Sequence, residues 1–116
     1  MSKRPDWSLE HDVLAVLWQA ERPLLPAEVQ ERLESDLAYT SVATILARLQ
    51  AKGLVTRFGH GRAFAYEACV DESELASRRI NEILAGTDNR AAVLAGFIGA
   101  LPKRERRALR ALLDKA

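Results

Sequence analysis

Ser41, Thr44 and Arg48 recur at spacings of three and four, which places two hydroxyls and a guanidinium on one face of a helix. Hydroxyls so placed hydrogen-bond base edges or phosphates, and a guanidinium pairs bidentately with a guanine or grips a phosphate. Residue type alone does not choose between base and backbone. Thr40 extends this set at its start and Lys52 at its end. Tyr39, just before it, offers either a hydroxyl to a phosphate or a ring to pack under the helix start. Further along, Gly59-His60-Gly61-Arg62 reads as a turn that carries Arg62 to a phosphate or a narrow minor groove, with His60 adding a proton-dependent contact. These residues share an electrostatic setting. Residues 37–66 contain no Asp or Glu and carry Arg48, Lys52, Arg57 and Arg62, whereas residues 1–36 hold eight acids. The formal net charge is only +1, but its distribution leaves a local basic block of the kind that attracts polyanions.

Other chemistries find no support in the residues. No Ser/His/Asp, Cys/His or paired-carboxylate arrangement is present, so an enzyme is not expected. His11 lies between Glu10 and Asp12 with no second His or Cys at ligand spacing, and neither a metal nor another cofactor is expected. A single Cys69 forms no internal disulfide and reads as a packing residue. No apolar run reaches the roughly 18 residues of a membrane span, and MSKRPDWS lacks the apolar stretch of a secretory signal. A cytoplasmic chain without membrane insertion is expected. With 116 residues, 48% apolar and 28% charged, it suits one globular domain with an appended oligomerisation element.

Stepping along the chain, the elements that must position these groups are mainly helical. Ser8 reads as the cap of a first helix through Leu9, Val13, Val16 and Leu17 to Ala20, with Trp7 and Trp18 as core or interface anchors. Pro26 opens a second helix that buries Val29 and Leu33 and ends near Ser35. A third, capped by Thr40 and stopped by Gly53, buries Val42, Ile45, Leu46 and Leu49 and leaves the hydrogen-bonding face outside. LVTRF and AFAYEA then alternate as the strands of a hairpin. Three short helices followed by a hairpin with a basic tip give the order of a winged helix-turn-helix, expected over residues 1–70.

Residues 71–116 read as a helical dimerisation region. Asp71 and Glu74 form a capping pair for a helix that ends by Gly86 and carries Leu75, Ile80, Ile83 and Leu84. RAAVLAGFIGAL is apolar on nearly every face, with Val93, Leu94, Phe97, Ile98 and Leu101 as anchors. Pro102 opens a last helix in which Leu109, Leu112 and Leu113 oppose Arg104, Arg106, Arg107 and Arg110; Leu109 and Leu112 complete the anchor set. Three short helices with that much apolar surface call for a second copy, and a homodimer would place two third helices about one DNA turn, or a multiple of it, apart on a palindromic site.

Three strings, LEHDVLAVLW, LAYTSVATILARLQAKGLVTR and GRAFAYEA, resemble the penicillinase repressor family (BlaI/MecI/CopY), strongly over residues 9–68 and more loosely beyond. The resemblance implies a homodimeric repressor of antibiotic-resistance or stress genes. It would bind a palindromic operator in double-stranded DNA through Thr40, Ser41, Thr44 and Arg48 with help from the wing. In the β-lactam branch of that family a membrane sensor protease cuts the C-terminal helices near an Asn-Phe pair; the comparable pair here is Gly96-Phe97. The copper-responsive branch carries a C-terminal cysteine cluster, and a chain with Cys69 alone is not expected to sense copper. Two alternatives share the fold: a winged helix that binds protein, and a MarR-like regulator that senses a small ligand.

Overall fold

The computed structural model describes residues 6–116, with side chains described from Ser8 onward; the anchoring role expected of Trp7 lies outside the described side chains. The chain divides into two units, residues 1–75 and 76–116.

The first unit runs α1 (Asp6–Gln19), α2 (Pro26–Arg32), α3 (Tyr39–Ala51), β1 (Val55–His60) and β2 (Ala63–Ala68). Val13, Leu14, Leu24, Val29, Val42, Leu46 and Leu49 have no exposed surface, so the inward stripes of α1, α2 and α3 form one core. Each such aliphatic side chain stabilises the fold by about 1.5–3 kcal/mol relative to exposure. α1 begins at Asp6 and not at a Ser8 cap. Ser8 is instead a residue of the first turn, where its poor helix propensity costs little. Pro26 stands at the start of α2 as expected, but the helix ends at Arg32, short of Ser35, because Leu33 turns extended at φ −73° and ψ 140° and packs on the core.

The end of α3 is a Schellman motif. Gly53 sits at φ 75°, its N–H donates to the Gln50 carbonyl, and the Leu54 N–H donates to the Leu49 carbonyl. The same bonds carry the buried Leu54 straight into β1. The hairpin is tighter than its glycines suggested. Gly59 and His60 belong to β1, and the turn is Gly61-Arg62 alone, closing the pair His60 and Ala63. Gly61 has φ 64° while, among the described residues, none other than glycine has positive φ, the pattern of a II′ turn whose twist matches the strands. β2 has a further neighbour: Leu24 and Tyr66 exchange two backbone hydrogen bonds of 2.9 and 2.8 Å. No local pattern in Leu24-Leu25 marks this bridge, which joins residues 42 positions apart.

α4 (Glu72–Ala85) starts on Asp71, whose carboxylate accepts from the Glu74 N–H at 2.8 Å and from the Ser73 hydroxyl at 2.9 Å. The backbone bond, followed by the hydroxyl bond, holds the Asp71 carboxyl below its ordinary range. The first turn of α4 belongs to the first unit, where Leu75 is a core residue, 3% exposed. Leu75, expected among the dimerisation anchors, is already covered within its own chain. In the second unit α4 continues, Asn89 caps α5 (Arg90–Ala100) by accepting from the Ala92 N–H, and α6 (Lys103–Lys115) follows Pro102. Among the described residues no helix is long and apolar enough to cross a membrane.

Candidate nucleic-acid interface

The four polar residues of α3 expected to act together do line one groove. Thr40, Ser41, Thr44 and Arg48 line a cleft of about 300 Å³ together with Leu9, Leu37 and Ile45. All four are exposed, and their opposite numbers Val42, Ile45, Leu46 and Leu49 are buried. Leu9 and Leu37 were not assigned to the site from sequence, because they come from α1 and from the connection before α3. That connection is fastened by Gln30, whose amide donates to the Leu37 carbonyl at 3.1 Å.

α3 starts two residues earlier than a Thr40 cap would place it. Ala38, with φ −68° and ψ 154°, is the N-cap, and no side chain caps the helix. Thr40 is thus the second helical residue, and its role as cap falls away; its carbonyl instead accepts the Thr44 hydroxyl at 2.8 Å. The Thr44 oxygen keeps its acceptor capacity while its proton is engaged. The uncapped N–H groups at the start of α3 add a positive partial charge beside the hydroxyls. Tyr39 is 49% exposed, so its ring is not tucked under the helix.

Lys52 belongs elsewhere. Its ammonium lies 2.8 and 3.1 Å from the two carboxylate oxygens of Glu10, a residue only 3% exposed. A buried carboxylate without a cation would cost several kcal/mol, so this lysine ties α1 to the end of α3 through its ammonium. Arg22 is likewise occupied: its guanidinium pairs with Glu28, which also accepts the Leu25 N–H at the start of α2. Those bonds, the Arg22 one first, bring the Glu28 carboxyl down to about 2.

In the wing, Arg62 is the second turn residue and His60 the last of β1; both are exposed and neither lines the α3 groove. Arg57 and Phe64 were not among the expected site residues. The structure stacks the Arg57 guanidinium on the Phe64 ring, 4.2 Å from its centroid. The clue in the sequence was an arginine and a phenylalanine on strands of the basic block; their contact depends on hairpin register.

Three single residues resolve differently. Cys69, read as packing, is exposed, with its thiol donating to the Gly53 carbonyl. Trp18 packs on the core as an anchor and donates its indole N–H to the Val70 carbonyl at 2.7 Å. His11 meets the Trp18 ring edge-on at 5.5 Å and lies 3.8 Å from a Glu72 oxygen. Among the described residues no group of three His, Cys, Asp or Glu is placed to hold a metal ion.

In the second unit, Ile80, Ile83, Val93, Leu94, Phe97 and Ile98 are between 36% and 64% exposed. Leu112 is 65% exposed, as is Leu113, which the anchor set had omitted, while Leu101 and Leu109 are half-buried. Leu84 is 8% exposed and so is not part of this open surface.

Known proteins align with this chain along most of its length. A transcriptional regulator BlaI of Mycobacterium tuberculosis is 34% identical over 110 residues, which span 90% of this chain and 80% of that one. The solved DNA-binding domain of the repressor BlaI is 30% identical with a TM-score of 0.51, covering 58% of this chain and 83% of that domain. The PcaV transcriptional regulator of Streptomyces coelicolor, solved with its natural ligand, is 25% identical with a TM-score of 0.50, covering 93% and 72%. Residues 8–115 match the penicillinase repressor family. The chain belongs to that family and is a winged-helix transcriptional repressor.

Proposed function

We propose that the chain is a homodimeric repressor that binds a palindromic operator in double-stranded DNA. In this reading Thr40, Ser41, Thr44 and Arg48 of α3 enter the major groove, and His60 and Arg62 of the wing reach the neighbouring backbone. The observation that carries it is the gathering of the four α3 residues along one groove at an uncapped helix start, in a stretch free of carboxylates. Anions favour such a helix start, and hydroxyl and guanidinium groups suit base edges and phosphates. Lys52 has no part in it, because Glu10 holds its ammonium.

The exposed apolar side chains of α4, α5 and α6 support the homodimer, since a monomer keeping Phe97, Leu112 and Leu113 in water forgoes their burial. As a cytoplasmic repressor of resistance or stress genes, it would be released by a sensor protease cutting at Gly96-Phe97.

Selection from a random duplex pool with the full chain, followed by salt titration and sedimentation, tests the proposal. The expected result is an enriched palindrome bound by a dimer, with affinity falling steeply with salt. A folded dimer that enriches no sequence would overturn it in favour of a protein-binding winged helix.

A further inference from the structure

Two cations of the first unit are held by carboxylates, Arg22 by Glu28 and Lys52 by Glu10. Arg57 is different. Among the described residues it makes no hydrogen bond or ion pair, yet it is held in place by the Phe64 ring. The register explains the contact. Arg57 pairs with Tyr66 and Gly59 with Phe64, so Arg57 and Phe64 are diagonal neighbours on one face of the hairpin. Val55 and Tyr66 lie on that same face and are part of the core, so the Arg57–Phe64 pair continues the core-facing side towards the tip, where the core has ended.

A guanidinium lying on a ring loses little further freedom when it binds, and its N–H donors remain available at the edge. The space beside the pair is open: a Cβ added at Gly59, which pairs with Phe64, would meet nothing within 4 Å. Phe64 itself is 43% exposed, and its ring is the platform that fixes the arginine.

We propose that Arg57 is a phosphate-binding residue of the wing and that Phe64 is its positioning residue. The wing then contacts the DNA backbone along its strands as well as at the Gly61-Arg62 turn. This rests on the operator reading above, and the ligand group is a backbone phosphate of duplex DNA. An arginine reading a narrow minor groove would instead be sensitive to sequence.

The test is salt titration of the full chain on the duplex selected from the random pool and on a scrambled duplex. The variants are Arg57→Gln, Phe64→Leu, Phe64→Trp, the double variant Arg57→Gln with Phe64→Leu, and Arg48→Ala as a reference. Arg57→Gln is expected to reduce the slope of log affinity against log salt by about 0.9 per half-site and to weaken both duplexes by a similar factor. Phe64→Leu should lose part of the same affinity, Phe64→Trp should keep it, and the double variant should bind no worse than Arg57→Gln alone. An unchanged slope in Arg57→Gln, a loss confined to the selected sequence, or losses that simply add would each overturn the proposal. Phe64→Trp keeps the test valid if Phe64→Leu unfolds. If wild type binds and Arg48→Ala is weakened while Arg57→Gln is not, only the wing proposal fails; if wild type shows no salt-dependent binding, the operator reading itself fails.

Discussion

The two units treat apolar residues in opposite ways. In the first, Leu14, Leu24, Leu46 and Leu49 are wholly buried, and the buried Glu10 has its ammonium. In α5 and α6 no residue is buried, although α5 contains Val93, Leu94, Phe97 and Ile98. Residue type is therefore not what separates them. A short helix that is apolar around most of its surface has no single inward face, so its burial must come from more than one neighbour. The first unit closes a core around its apolar side chains, whereas the second leaves most of its large ones exposed.

The same substitution in both units breaks or sharpens this contrast. Leu46→Ala should cost about 2–5 kcal/mol of unfolding free energy, measured by urea denaturation, because it opens a cavity in a closed core. Leu112→Ala should cost under about 0.5 kcal/mol when the chain is dilute enough to be monomeric, as an exposed position does. At higher concentration the Leu112 variant should dissociate more readily in sedimentation. Equal costs at both sites in the dilute chain would mean that the second unit is as closed as the first.

A smaller effect tests the polar side of the first unit. Lys52→Ala should destabilise by about 1–3 kcal/mol, because the lysine is half exposed but leaves behind a buried carboxylate. Its DNA affinity, measured on folded protein with the selected duplex, should stay close to wild type. A large affinity loss with unchanged stability would restore Lys52 to the DNA interface.

The smallest effect is that of Glu28, on the exposed start of α2. Its carboxyl titrates at about 2 in the folded chain against an ordinary 4.5, so the folded state binds fewer protons than the unfolded state between those values. Its contribution is fully present above about pH 5 and is lost as pH falls towards 2. The melting temperature of Glu28→Gln should accordingly lie below wild type at neutral pH and converge with it on acidification. A gap that stays constant with pH would mean that the Arg22 pair contributes nothing through its charge.

Much of the architecture was legible because it is local. Three helices and a hairpin follow from apolar spacing, from Pro26 at a helix start and from Gly53 at a helix end. The wet face of α3 follows from the same periodicity. Boundaries were less secure: Ser8 and Thr40 are good caps by residue type, but the chain already turns helical before each of them. The hairpin turn shrank from four residues to two because cross-strand pairing continued through Gly59 and His60.

The sequence by itself determined which residues could touch DNA and which could not pack alone, because both depend on residue type and on helical or strand period. Tertiary structure decided which of those residues were already taken. Glu10 is 42 positions from Lys52, and no local pattern pairs them. Leu75 follows the same apolar spacing as Ile83, yet one lies in the core and the other is exposed. Arg57 meets Phe64 only through the register of a two-residue turn. A side chain's availability is set by the neighbours that folding brings to it from distant positions, and period and propensity do not encode those.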